Sequence, residues 1–222
     1  TWPGPRLAPE QLLWGYAGGM PVVPGEYEVR LEAGSVRQSH RFRVLADPRL
    51  PEVTTADYEA QLAAASVLRD TLESLARSVE AIRGVKSQVE ASLAQAKRAG
   101  VESELAPLAR SLQATLDSIE TRMTDPRIKV GYDVLRFGGQ LDNQIAEAYG
   151  QATGPNGYIH GAGIGRPTRG VTERTGELVR QYDGLARRLD QVLERDVAAF
   201  NATVGRLGVA PIVVPRRGKP IA

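Results

Sequence analysis

The residues best suited to chemistry are few and far apart. The chain has two histidines and no cysteine, so thiolate nucleophiles, disulfides and cysteine-based zinc sites are excluded together. His40 stands among arginines in His40-Arg41-Phe42-Arg43-Val44, and His160 stands in a glycine-rich stretch. Neither has a histidine or carboxylate at metal-ligand helical spacing, and two lone imidazoles make no zinc site without distant carboxylates. No Gly-x-Ser-x-Gly elbow occurs, which leaves nucleophilic catalysis without support. Asp70 with Glu73, and Asp190 with Glu194, stand beside Arg69, Arg187 and Arg188 at the spacing of ion pairs along a helix surface. Gly161-Ala162-Gly163-Ile164-Gly165 has a superficial likeness to a phosphate loop. However, Pro155-Asn156-Gly157-Tyr158 precedes it where a strand is required, and no Lys-Ser or Lys-Thr follows. It reads as an inter-helix connector. The expectation is a non-enzyme with no catalytic residue, cofactor or metal.

The elements that would position any site follow from periodicity. Pro3, Pro5, Pro9, Pro21 and Pro24, with Gly15, Gly18, Gly19 and Gly25, rule out a long helix there. Two alternating runs come next. Tyr27, Val29 and Leu31 share one face, as do Phe42 and Val44, and Gly34-Ser35 lies between the runs. That pattern predicts a hairpin with one buried face. A lone hairpin is marginal in water, so more sheet is expected, from Leu12-Leu13-Trp14 or from chain preceding Thr1.

Helix dominates thereafter. Thr54 or Thr55 can cap a first helix over about residues 55–99, with apolar positions Ala65, Leu68, Leu72, Leu75, Val79, Ile82, Val89, Leu93 and Ala96. Lys86 is the exception in that stripe, and Gly100 suits the position just past the end. A second stripe runs through Leu105, Ala109, Leu112, Leu116, Ile119 and Met123, with Pro107 placed in the first turn. A third helix covers Leu141, Ile145 and Tyr149. The last, about 168–207, carries Leu178, Tyr182, Leu185, Leu189, Leu193, Val197, Phe200, Val204 and Leu207. Its two successive four-residue steps at Leu189, Leu193 and Val197 form a stutter that locally unwinds a supercoil.

The first and last helices would be roughly 66 and 60 Å long, and the middle two about half that. An elongated antiparallel bundle of three columns, the middle one broken, is the simplest packing; a compact four-helix bundle is the alternative. The fold class is therefore mainly α, with a small β segment first. The divisions are 1–50 (partial β-sandwich or hairpin), 51–207 (helical bundle) and 208–222 (extended basic tail).

Composition fits this outline. Aromatic residues are 5% of the chain, which suits helix packing better than a large sandwich. The net charge is +2 with the signs interspersed, which argues against a nucleic-acid binder. Arg216-Arg217-Gly218-Lys219 is the one basic run and reads as a solvated tail. No apolar run approaches the ~20 residues that cross a bilayer, which leaves peripheral association with a membrane complex open. The start at Thr1, without an initiator Met, suggests a processed or excised piece.

The order of features brings in a family. Trp2-Pro3-Gly4-Pro5, Leu13-Trp14, Val23-Pro24-Gly25-Glu26-Tyr27-Glu28-Val29-Arg30-Leu31, Phe42-Arg43-Val44 and Asp47-Pro48-Arg49 resemble the last strands of an Ig-like or fibronectin-like module. That module lies near the C-terminus of bacterial sortilin/VPS10-like proteins with BNR or YVTN repeat propellers, some labelled glycosyl hydrolases. A helical region follows it there; the counterparts here are Leu68-Arg69-Asp70, Ile82-Arg83, Leu141-Asp142-Asn143-Gln144 and Asp196-Val197-Ala198-Ala199-Phe200-Asn201.

The resemblance implies an exported protein, periplasmic or extracellular, whose propeller lies upstream, and it carries no catalytic residue onto this chain. The function expected is a structural or protein-interaction module that packs on a partner or on that propeller. An accessory subunit of a periplasmic or membrane-associated complex is the first alternative, and a fragment of an enzyme with its site upstream is the second. Partner contacts are expected at Trp2, Trp14, Tyr158, His160, Ile164, Arg216, Arg217 and Lys219.

Overall fold

The structure is a computed structural model that describes residues 2–13, 15, 17–154 and 163–214. Strands β1 (Gly25–Ala33) and β2 (Val36–Val44) form an antiparallel pair. Helices α1 (Thr55–Arg98), α2 (Glu102–Met123), a short α3 (Val134–Phe137), α4 (Leu141–Ala152), α5 (Arg169–Gln191) and α6 (Val197–Arg206) follow. The chain is mainly α, with a small β segment before the helices.

Helix α1 starts and stops where local chemistry directs. Thr54 Oγ1 accepts from the Asp57 amide at 3.3 Å, while Asp57 Oδ2 accepts from the Thr54 amide at 3.0 Å, a reciprocal capping box. At the other end Gly100 adopts φ +74°. Its amide donates to the Lys97 carbonyl at 3.2 Å, and the Val101 amide donates to Ala96 at 3.0 Å, the Schellman arrangement. Between these ends Leu68, Leu72, Leu75, Val79, Ile82, Val85 and Val89 are fully buried. At 1.5 Å per residue the helix spans about 66 Å, so the body is elongated.

The rest of the bundle lies along α1. Helices α2 and α4 both pack on it, and α5 packs on all three. Thus α2 and α4 form the broken middle column, and α5 with α6 forms the third. Two local expectations change. Helix α2 begins at Glu102, so Pro107 lies beyond the first turn and leaves the Ser103 carbonyl without its usual helical donor. In the last column, Val192–Asp196 forms one π turn, closed by the Val197 amide donating to the Val192 carbonyl. That turn absorbs the extra residue of the 4-4 step, and it keeps Leu189, Val192, Leu193 and Val197 all in the core.

Both ends of the described chain join the bundle. Ala8 and Met20 are buried in the helical core. Gly4 and Gly15 permit this: a Cβ on Gly4 would lie 2.4 Å from the Ala17 carbonyl oxygen, and one on Gly15 would lie 2.6 Å from the Ala146 backbone in α4. Leu12 and Leu13 are not strand, and the extended contact among the described residues of this segment is a bridge between Trp2 and Met20. The segment 208–214, placed in the extended basic tail by its sequence, packs on the bundle. Val209 and Ile212 are buried, Asn201 exchanges hydrogen bonds with the Ile212 backbone at 2.9 and 2.7 Å, and Gln88 does so with Val213 at 2.9 and 2.8 Å.

Candidate interaction surface

The hairpin is built by its turn. Gly34 takes φ +60° and no other residue from 33 to 36 is positive, the type II′ geometry that joins antiparallel strands with two residues. Ala33 then pairs with Val36, and the register continues through Leu31–Gln38, Val29–His40 and Tyr27–Phe42 to Gly25–Val44.

Residues directly opposite share a face, so this register sorts the hairpin into two chemically distinct sides. One side is a lattice of charge, with Glu26 facing Arg43, Glu28 facing Arg41 and Glu32 facing Arg37. The ion pairs there span 3.5, 3.9 and 3.8 Å, and Arg30 adds a 2.7 Å bond to Glu28. The other side is mostly apolar, with Gln38 and His40 set opposite Leu31 and Val29. Tyr27 stacks on Phe42 with ring centroids 5.9 Å apart, and a depression of about 400 Å³ is lined by Val29, Leu31, Gln38 and His40, among others.

The apolar side is the expected one, but it is not buried. Val29 is 53% exposed, Leu31 57%, Val36 50% and Phe42 44%. The residues of the helical core, by contrast, are almost wholly enclosed. The cause is that the helices satisfy their own apolar stripes and the segment before residue 21 packs on α1 and α4, which leaves nothing described to lie on the hairpin.

Elsewhere the polar groups serve packing. Glu120, enclosed in the bundle, accepts from Arg83 Nε at 2.7 Å and from Lys86 Nζ at 3.0 Å, and Lys86 reaches Asp117 at 2.5 Å. Burial alone would lower the Lys86 pKa, but its bonds to Asp117 and Glu120 outweigh that and hold the ammonium above its ordinary range. This explains the break in the α1 stripe. Asp142 is fully buried in α4. Burial pushes its carboxyl up, while hydrogen bonds from Thr124, Gln11 and Asn143 pull it part of the way back. Among the described residues no group of three His, Asp or Glu side chains could hold a metal ion. A cavity of about 610 Å³ between α4 and α5 is lined by Val134, Asn143, Glu147, Gln151, Val171 and Arg174, among others. Arg174 there is engaged with Gln144 at 2.6 Å and Glu177 at 2.9 Å.

Of the contact residues read from sequence, Trp2 and Ile164 are among the described residues. Trp2 is 46% exposed, and its backbone is bonded to Met20 in both directions at 2.8 and 3.0 Å. Ile164 is half-buried beside Gly163 and Gly165, whose backbones are gripped by Gln61 at 3.0 and 3.1 Å. The end of the glycine connector is thereby fastened to α1. Trp14, Tyr158, His160, Arg216, Arg217 and Lys219 lie outside the described residues. The surface that sequence reading did not single out is the hairpin face of Val29, Leu31, Val36 and Phe42. Its signal is strict alternation, which predicts a buried layer, whereas the structure leaves that layer exposed. No helix among the described residues is long and apolar enough to cross a membrane. No protein-family model, curated protein or solved structure matches the chain.

Proposed function

We propose that this chain is a non-catalytic structural and protein-interaction module, in which a rigid helical body presents the β1–β2 hairpin to a protein partner that covers its apolar face. The exposure of Val29, Leu31, Val36 and Phe42 together on one side of a regular hairpin is the observation that carries it. Contiguous exposed apolar surface rimmed by charge marks interaction sites in stable proteins. The size of the face bears on the partner. Nine residue pairs give a surface about 30 Å by 10 Å, or about 300 Å², whereas a standard interface takes about 800 Å² from each side. Two copies stacked hairpin to hairpin therefore fall well short, and a partner that also engages surface beyond this face is favoured. On the resemblance to exported propeller-type proteins, that partner is the upstream part of the same precursor; the alternative is a separate subunit of an envelope complex.

The test is a photo-reactive benzoylphenylalanine placed at Phe42 in the protein as its natural source makes it. A cross-link confined to one partner, and lost in a Val29→Lys/Leu31→Lys variant whose helical body melts as before, is the expected result. Internal cross-links point to the same precursor and a larger species to a separate subunit. Absence of any cross-link, or one indifferent to the two lysines, would overturn the reading. Because both positions are exposed, the lysines should alter the stability of the chain alone by no more than about 0.5 kcal/mol.

A further inference from the structure

Given that the hairpin is a docking element, the distribution of charge on its polar side selects both the edge used and the chemistry of the incoming chain. In a two-residue hairpin the pair flanking the turn, here Ala33 and Val36, exchanges both backbone bonds, and bonded pairs then alternate with non-bonded ones. The outward-turned backbone groups are thus those of Glu26, Glu28, Arg30 and Glu32 on β1, and of Arg37, Ser39, Arg41 and Arg43 on β2. These are the same residues whose side chains make the charged face. That face holds three glutamates and four arginines, and its excess is one-sided: β1 carries all the acids, whereas β2 carries only Arg37, Arg41 and Arg43 besides Ser39. The three β2 arginines keep 81, 86 and 71% of their side chains exposed even while pairing with β1, so their guanidinium groups are free to take a second carboxylate.

We propose that β2 accepts a third, antiparallel or parallel strand from a protein partner, with acidic residues alternating with apolar ones. The acids would lie beside Arg37, Arg41 and Arg43, and the apolar residues would extend the face of Val36 and Phe42. Cross-strand neighbours on one face interact directly, and opposite charges stabilise the pairing where like charges oppose it. The same rule disfavours the symmetric alternatives between two copies. Pairing β2 with β2 sets arginine against arginine, and even the best-matched antiparallel register of β1 with β1, which sets Glu28 against Arg30, leaves Glu26 against Glu32. Pairing β1 with β2 between copies is head-to-tail, which builds rings or open filaments rather than a closed pair.

The test uses the 222-residue chain and two synthetic nine-residue peptides, one alternating glutamate with valine and the other lysine with valine, followed by amide hydrogen exchange. The glutamate peptide should bind at least about ten-fold more tightly. It should slow exchange at Arg37, Ser39, Arg41 and Arg43 while leaving Glu26, Glu28, Arg30 and Glu32 unchanged. The Arg41→Glu/Arg43→Glu variant should reverse the preference. Equal binding of the two peptides, protection along β1, or no binding of either would overturn the inference. So would binding to vesicles of phosphatidylglycerol and phosphatidylcholine in place of either peptide, which would make the face a membrane surface. If both peptides fail while the hairpin is covered in the native assembly, the edge assignment falls and the docking face stands. An uncovered hairpin in that assembly removes both.

Discussion

Gln11 Nε2 donates to Asp142 Oδ2 at 3.1 Å, joining two residues 131 apart in sequence inside the core. The contact fixes the segment before the hairpin to α4. The hairpin is therefore rooted on a body that is complete without it, and its exposed face is not a gap in the packing of that body.

Asp142 gives that junction a pH dependence of known sign. Its folded pKa is raised above the ordinary 3.8, chiefly by burial, so the folded protein holds this proton more tightly than the unfolded chain does. The stabilisation is complete below 3.8 and is lost as pH rises through the folded value. Carboxyls shifted the other way act in a separate window. Asp57 is lowered by its bond from Thr54, and Asp125 by Arg127, so their contributions are present above 3.8 and disappear as pH falls through their folded values. Thermal melts should show stability declining with rising pH above 3.8 in the parent chain, and Asp142→Asn should remove that decline. An unchanged pH profile in the variant would show that Asp142 is not the group responsible.

The Glu120 cluster predicts an order of costs. Glu120→Ala leaves Arg83 and Lys86 facing each other at the rim of the core without their shared acceptor. Breaking a buried pair costs about 3–5 kcal/mol, and partial exposure of both cations reduces that to about 2–3. Lys86→Met removes one cation and restores the apolar stripe, while Glu120 keeps Arg83 at 2.7 Å. Its cost should be under about 1 kcal/mol. Chemical denaturation of the two variants measures the difference; equal losses would contradict the arrangement.

The π turn predicts an unusual tolerance. Deleting a residue within a regular helix rotates everything beyond it by about 100° and misplaces the apolar stripe. Deleting exposed Glu194 should instead convert the π turn into α-helix and keep Phe200 and Val204 in phase with the core. That variant should remain cooperatively folded, within about 2 kcal/mol of the parent. Deleting Arg180, in the regular part of α5, should abolish cooperative unfolding. Circular dichroism melts of the two deletions decide it.

How much of this was readable from sequence varies by element. The helices were, because Leu68, Leu72, Leu75 and Val79 repeat at helical spacing, and each end carries its own signal in Thr54 with Asp57 and in Gly100. The 4-4 step at Leu189, Leu193 and Val197 announced an irregularity, although not that a π turn would resolve it. The packing of Ala8, Met20, Val209 and Ile212 was not legible, since short irregular segments have no period. There the glycines read as helix breakers, whereas Gly4 and Gly15 are sites where backbone meets backbone. For the candidate surface, alternation gave the correct face of the hairpin. Whether a face is covered depends on what else packs there, and that is a tertiary fact.

Hydrogen exchange compared between the 222-residue chain alone and the native assembly from its source shows whether a partner covers the hairpin. Amides of residues 25–44 should exchange at least about ten-fold more slowly in the native assembly, while those of α1 and α2 are unchanged. Equal exchange of the hairpin in both samples would mean that no partner covers it.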